Sequence, residues 1–323
     1  MIDACARQID YIRISITDRC NLRCVYCMPE HGVTSFEHRE ILTYEEIVRL
    51  ARLLAQLGIR HIRVTGGEPM ARLGCLGLVE SLSRVPGIET LSMTTNALLL
   101  DGRVREAHDA GLSALNISLD TLDPEIYRKM TRGGDVFRAL SVIDEALALG
   151  MRVKINAVPV GGMNEEGLVD LAALARDRDL CVRFIELMPV GCGASLEPVP
   201  TEAVRARLAE AFGELREDTQ KRGFGPARYV RPEGFCGSIG FISPLSHEFC
   251  GQCNRVRLTA DGFLKLCLNH RAGTDLRGML RAGASDGELL SAMREAIYRK
   301  PARHGFESEI DDREVRRMNE IGG

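Results

Sequence analysis

The sequence lacks any apolar run long enough to cross a membrane, and Met1–Asp10 carry no stretch of the signal-peptide kind. It also has no low-complexity segment and no charged tail. Its 42 basic residues are offset by 45 acidic ones, a formal net charge of −3. No whole-chain field therefore draws it to nucleic acid or to a membrane, and any anion site has to be local. With 11 cysteines and no secretion signal, the expectation is a reducing, cytoplasmic setting in which thiols serve metals or catalysis rather than cross-links. The shortage that matters most is a local one. Two groups of cysteines each stop one ligand short of a closed metal site.

The first group is Cys20, Cys24 and Cys27, spaced C-x3-C-x2-C directly after the alternating run Tyr11–Thr17. Iron–sulfur clusters are held by thiolates, normally four of them, so three leave one iron of a four-iron cluster open to an outside molecule. Arg19, Arg23 and the backbone N–H groups of the loop are expected to keep the thiolates ionised. A structural zinc site would want a fourth protein ligand, and His31 is the nearest residue of the right type. The second group, Cys250, Cys253 and Cys267, reads C-x2-C-x13-C around the turn Asp261-Gly262. By itself it suits a zinc ribbon as well as a second open cluster. Arg255 and Arg257 alternate onto one face of that hairpin, and two guanidiniums beside a metal site suit an anionic substrate. Cys5, Cys75, Cys181, Cys192 and Cys236 read as ordinary buried or free thiols.

At 323 residues the chain is long enough for a large α/β domain and a smaller module. Strand-like runs at Tyr11–Thr17, Ile59–Thr65, Thr90–Thr95, Ala114–Leu119, Arg152–Pro159 and Val182–Leu187 alternate with helical patterns. Thr43 and Glu46 form a capping box for one helix that stops at Gly58, and another runs from about Val136 to Leu149. This alternation predicts a parallel sheet wrapped by helices: an α/β fold with a partial (β/α)6 TIM-like barrel. Every second residue along the runs is polar, as in Arg13/Ser15/Thr17, Arg63/Thr65, Thr94/Asn96, Asn116/Ser118/Asp120 and Lys154/Asn156, while the alternate positions are apolar. The polar side should face the barrel interior and the apolar side the helices. Arg183 reads as an interruption of the apolar face of the sixth strand. A helix from about Thr201 to Leu215 is expected to close the barrel, giving a domain over 1–220 and a C-terminal module over 221–323 that ends in Gly322-Gly323.

Gly66-Gly67-Glu68-Pro69 follows the second strand, where its glycines permit close backbone approach to a ligand and Glu68 could accept hydrogen bonds from an amine. Together with the first cysteine triad, this motif resembles the radical S-adenosylmethionine (radical SAM) enzymes. That resemblance implies SAM bound at the open iron and its reductive cleavage to methionine and a 5′-deoxyadenosyl radical. With the second triad and the ending Met318–Gly323 added, the whole chain is similar to the radical SAM family that cyclises GTP to (8S)-3′,8-cyclo-7,8-dihydroguanosine 5′-triphosphate, the first step of molybdenum cofactor biosynthesis. The resemblance implies two [4Fe-4S] clusters, on Cys20/Cys24/Cys27 and on Cys250/Cys253/Cys267. It places SAM contacts at Tyr26, Gly67, Ser118 and Met188, and GTP contacts at Arg13, Arg63, Thr94, Lys154 and Arg255, Val256 and Arg257. Gly322 and Gly323 would reach into the active site. The second cluster would hold the guanine base and supply an electron. An external donor of flavodoxin or ferredoxin type, a downstream cyclic pyranopterin monophosphate synthase and a homodimer belong to the same expectation.

Two segments depart from that family. Thr94-Thr95-Asn96-Ala97 has alanine where glycine is usual, so its turn has to tolerate a Cβ, and Met70–Cys75 is atypical after Gly-Gly-Glu-Pro. Neither removes a ligand-type side chain. The competing readings are a radical SAM enzyme acting on a peptide or another small molecule, and a zinc-stabilised binding module without catalysis.

Overall fold

A computed structural model describes residues 1–220, 222–306, 314 and 316–322. Its strands are β1 (Tyr11–Ser15), β2 (His61–Thr65), β3 (Thr90–Thr95), β4 (Ala114–Ser118), β5 (Arg152–Ala157), β6 (Cys181–Ile185), β7 (Arg216–Glu217), β8 (Arg228–Arg231), β9 (Ser238–Ile242), β10 (Arg255–Leu258), β11 (Phe263–Lys265) and β12 (Gly273–Asp275). The helices are α1 (Tyr44–Gln56), α2 (Cys75–Ser83), α3 (Val104–Asp109), α4 (Pro124–Thr131), α5 (Val136–Ala148), α6 (Leu168–Asp177), α7 (Thr201–Phe212), α8 (Leu276–Arg281), α9 (Asp286–Tyr298) and α10 (Met318–Ile321). All the strands belong to one sheet, ordered β12-β11-β10-β1-β2-β3-β4-β5-β6-β9-β8-β7. The six expected βα units form its middle as a partial barrel. The sheet does not end there: β10 joins β1 in parallel and β9 joins β6 in parallel. The helix after β6 therefore leaves the barrel open, and the sheet is extended by strands from the last third of the chain.

Local chemistry explains the elements. Thr43 accepts the backbone N–H of Glu46 at 3.2 Å, and Glu46 returns a bond to the N–H of Thr43 at 2.7 Å. Ile47, Leu50 and Leu54 then bury one face of α1, and Gly58 ends it at a φ of +95° that only glycine takes without strain. Along β1, Ile12 and Ile14 are fully buried with Ile62 and Val64 of β2 in the core under the helices. Arg13 and Arg63 stand on the other face as direct neighbours in register.

β6 corrects the reading of Arg183. Val182 and Phe184 belong to the helix-side core, so Arg183 lies on the interior face, level with Asn156. Gly240 of β9 sits opposite, and a Cβ there would come within 3.0 Å of the Arg183 side chain. The glycine leaves the guanidinium its space. A smaller apolar cluster of Val190, Phe306 and Ile321, with Met188 and Met318 against it, seats the C-terminal helix over the barrel mouth.

Candidate active site between the two cysteine triads

Both triads line one cavity of about 320 Å³. Cys20, Cys24 and Cys27 come from the loop after β1, and Cys250, Cys253 and Cys267 from the segments flanking the β10–β11 hairpin. Cys267 lies two residues beyond β11, the returning strand of that hairpin, whereas the sequence spacing alone puts it on the strand. The same cavity wall holds Tyr26, Gly67, Ser118 and Met188, and also Arg13, Arg63, Thr94, Arg255 and Arg257. Val256 is fully buried in the helix-side core, so only its backbone is on offer to a ligand. Lys154 lies outside this lining, its ammonium packed against Gly223 where a Cβ would collide with it. Of the C-terminal segment, Met318 and Asn319 line the cavity. Gly322 packs against Ser15 and Thr65 and its carbonyl accepts from Arg257, and Gly323 lies outside the described residues.

Among the described residues, the one group of three or more His, Cys, Asp and Glu ligand atoms lying within 4.8 Å of one another is Glu248, Cys250 and His304. Neither triad is drawn in as a single tetrahedral ion would require, whereas a cubane spreads its thiolates over separate irons. Nor is His304 free to ligate. Its Nδ1 accepts the N–H of Phe306 at 3.0 Å, and its Nε2 meets the Pro244 carbonyl at 2.8 Å.

Donors surround the sulfurs. Cys20 Sγ faces the N–H of Leu22 at 3.4 Å and the Asn96 amide at 3.7 Å, and the backbone N–H of Asn319 reaches Cys27. Burial leaves the Cys20 thiol raised, outweighing the N–H of Leu22 and Arg23, which do favour its thiolate as expected. Arg23 also donates to the carbonyls of Cys20 and Leu22. Burial pushes Cys24 well up and Cys27 to about 12, so their deprotonation has to accompany metal binding. In the second triad burial raises Cys250 as well, and the exception is Cys253. Burial acts on Cys253 in the same direction, but Arg255 and Lys300 outweigh it and bring the thiol down to about 7.

The Gly-Gly-Glu-Pro loop serves the chain itself. A Cβ on Gly66 would lie 2.6 Å from the Thr17 carbonyl, and one on Gly67 would strike the Arg19 carbonyl. Glu68 is buried and accepts from Met70 N–H at 3.1 Å, Thr95 Oγ1 at 2.8 Å and Asn96 N–H at 2.7 Å. Burial moves it up to about 7. It thereby fixes Asn96, which holds Cys20. Ala97 takes a φ of +72°, which confirms that this turn has to carry a Cβ in the left-handed region. Asp120, raised by burial to about 6, accepts from Tyr26 Oη at 2.8 Å.

Arg257, Arg13 and Arg63 stand side by side on three adjacent strands. Arg183 joins them from across the barrel, donating to Asn116 Oδ1 at 2.8 Å and Asn156 Oδ1 at 2.5 Å. Sequence reading missed its role because both faces of β6 are otherwise apolar. Among the described residues, none of these four is in an ion pair, and the buried Nε atoms of Arg13, Arg63 and Arg183 and the Thr94 hydroxyl have no partner. Burial and mutual repulsion lower Arg13 strongly and bring Arg257 to about 10 and Lys154 to about 7. Unpaired buried cations of this density call for a multiply charged anion. A wider cleft of about 1110 Å³ shares Phe249 and Arg255 with the cavity and opens it sideways.

Comparison with known proteins agrees with this geometry. Residues 14–175 match the family described as the Radical SAM superfamily, and residues 180–306 match Molybdenum Cofactor Synthesis C. The chain is 46% identical to a GTP 3′,8-cyclase of Heliobacterium modesticaldum over the full length of both proteins. It is 47% identical to GTP 3′,8-cyclase 1 of Pseudomonas aeruginosa, covering 100% of this chain and 99% of that one. Among solved structures, Streptococcus suis SuiB bound to S-adenosylmethionine shares the fold with a TM-score of 0.60 at 16% identity, over 88% of this chain and 68% of that one.

Proposed function

The chain belongs to the radical SAM superfamily and, within it, to the GTP 3′,8-cyclase family, and from that premise we propose how its own residues serve the reaction. The activity is the conversion of GTP to (8S)-3′,8-cyclo-7,8-dihydroguanosine 5′-triphosphate, the first step of molybdenum cofactor biosynthesis. When bound, SAM and two [4Fe-4S] clusters supply the one-electron chemistry. Cys20, Cys24 and Cys27 with Tyr26, Gly67, Ser118 and Met188 would hold the SAM side, and Cys250, Cys253 and Cys267, in the module over 221–323, the substrate side.

The observation that carries the substrate assignment is the unpaired arginine set. Arg13, Arg63 and Arg183 offer buried Nε donors without acceptors, and a triphosphate supplies acceptors in the number and charge they need. Arg257 and Arg255 extend the same wall toward the second triad, and Thr94 offers its orphaned hydroxyl to the ribose. Held between the two triads, the ribose and base are confined to one orientation, the main source of advantage in an intramolecular ring closure. The tail, seated by Ile321 and by Gly322 against Ser15 and Thr65, would close the cavity through Met318 and Asn319 and keep water from the reacting carbon. Electrons would come from a flavodoxin- or ferredoxin-type donor, and the product would pass to cyclic pyranopterin monophosphate synthase.

The test is equilibrium binding of GTP to Arg183→Met and Arg63→Met under anaerobic conditions, with mass analysis of the nucleotide product. Each variant should weaken GTP by about 30- to 100-fold, or about 2–3 kcal/mol, with SAM binding unchanged. Parent-like GTP affinity in both variants would remove the basis for placing the triphosphate here.

A further inference from the structure

We propose that Arg7, which no motif singles out, is the positioning residue of the second cysteine triad. Arg7 is 5% exposed and Asp3 3%. Its Nε donates to Asp3 Oδ2 at 2.7 Å, its Nη1 to the carbonyls of Cys250 at 3.0 Å and Ala302 at 3.3 Å, and its Nη2 to those of Lys300 at 3.0 Å and Pro301 at 2.9 Å. Asp3 Oδ1 holds the turn behind it by accepting the N–H of Cys5 at 3.0 Å and of Arg7 at 2.9 Å.

The Cys250 carbonyl is the informative partner. It also accepts the N–H of Cys253 at 3.2 Å, so Arg7 bears on the turn that sets the spacing of those two thiols. The other arm of the clamp reaches Cys267. Lys300, whose carbonyl Arg7 grips, sends its ammonium to the Leu266 carbonyl, one residue before that thiol. One guanidinium thus ties together chain segments 243 to 295 residues away in sequence. Its planar fork is what the arrangement uses, and a lysine ammonium cannot reproduce that geometry. Backbone partners outside the ligand shell orient ligands as surely as the ligands themselves.

The inference rests on the reading that this triad holds a cluster, and two measurements separate the claims. The first is made on the full chain reconstituted without oxygen, as parent, Arg7→Met and Arg7→Lys. Both variants should lose about half the bound iron and sulfide and the paramagnetic resonance signal of the second cluster, while the SAM-responsive signal of the first persists. Equal loss of both signals, or rescue by lysine, overturns the proposal. The second measures iodoacetamide alkylation rates thiol by thiol in chelator-treated protein. Arg7→Met should speed modification of Cys250 and Cys253 several-fold and leave Cys24 as in the parent. Uniform acceleration, or none, overturns positioning. A parent chain that loads iron on the first triad only would defeat the cluster reading, while the alkylation rates would still decide the role of Arg7.

Discussion

Gly322→Ala is the sharpest perturbation the structure offers. Gly322 has a φ of +75°, where a Cβ costs about 1–2 kcal/mol. The added methyl would also lie 2.9 Å from Ser15 Cβ and 3.3 Å from Thr65 Cγ2. Those residues are paired across β1 and β2 and are nearly inaccessible, so the wall cannot yield. Overpacking of this kind adds about 1–3 kcal/mol. Against it stand the full burial of Ile321, about 2–3 kcal/mol, and the hydrogen bond from Arg257 to the Gly322 carbonyl, about 1.5–3 kcal/mol. Ordering Ile321 and Gly322 themselves offsets part of both, at about 1 kcal/mol or more per residue. A penalty on the order of 3 kcal/mol therefore shifts tail docking about 100-fold and leaves it mostly undocked. The assay is anaerobic turnover of GTP together with amide hydrogen exchange over residues 316–322. Turnover should fall at least about tenfold, and tail amides should lose protection, while α1 and α5 keep theirs. A variant with parent-like turnover and an equally protected tail would refute the reasoning.

The other predictions are briefer. Lys154 stands outside the cavity lining but is held down to about 7 by burial and then by Arg183 and Arg63. It is largely neutral above that pH until a polyanion neutralises those arginines. GTP binding should then take up close to one proton at pH 8 and tighten as pH falls from 9 to 7 by up to about tenfold per unit. Calorimetry in buffers of different ionisation heat reads this, and Lys154→Met should abolish it. Burial raises Glu314, but Arg316 and the buried Lys265 outweigh that and hold it at about 2, below its ordinary 4.5. Its contribution, about 3 kcal/mol from the shift and about 2 kcal/mol after solvent screening, should be complete above pH 4.5 and vanish as pH drops through 2. Tail exchange rates report this, and Glu314→Gln removes the transition. Ala6 and Ala97 both sit at positive φ, at 60° and 72°, the first exposed and the second fully buried. Ala6→Gly should raise thermal stability by about 1 kcal/mol. Ala97→Gly should gain less, because a buried methyl worth about 0.8 kcal/mol is lost.

The strands and their polar faces were legible because alternation is strong where one side meets helices and the other a charged cavity. Arg13, Arg63, Thr94 and Ser118 could be placed on the interior face from that pattern, while their ligand roles came only from the family resemblance. Arg183 could not, since Cys181 and Ile185 share its face and make it look apolar. The parallel pairing of β10 with β1 was equally hidden. Nothing in Arg255–Leu258 tells which distant strand it will join, although the pairing is what sets Arg257 beside Arg13. The clamp at Arg7 left no trace in sequence, because its partners are backbone carbonyls and any residue carries one.

That late pairing has a bearing on how the molecule is made. β1 emerges first from the ribosome, yet it gains its second neighbour only when β10 has been synthesised some 240 residues later. Until then the strand leading into the first cysteine loop is an open edge, with the bonding pattern that invites mispairing. Contacts so far apart in sequence also slow the closing step. A nascent chain stalled before Arg255 would leave that edge unguarded, so the wall of the first cysteine loop is completed only after the whole barrel sequence has been made.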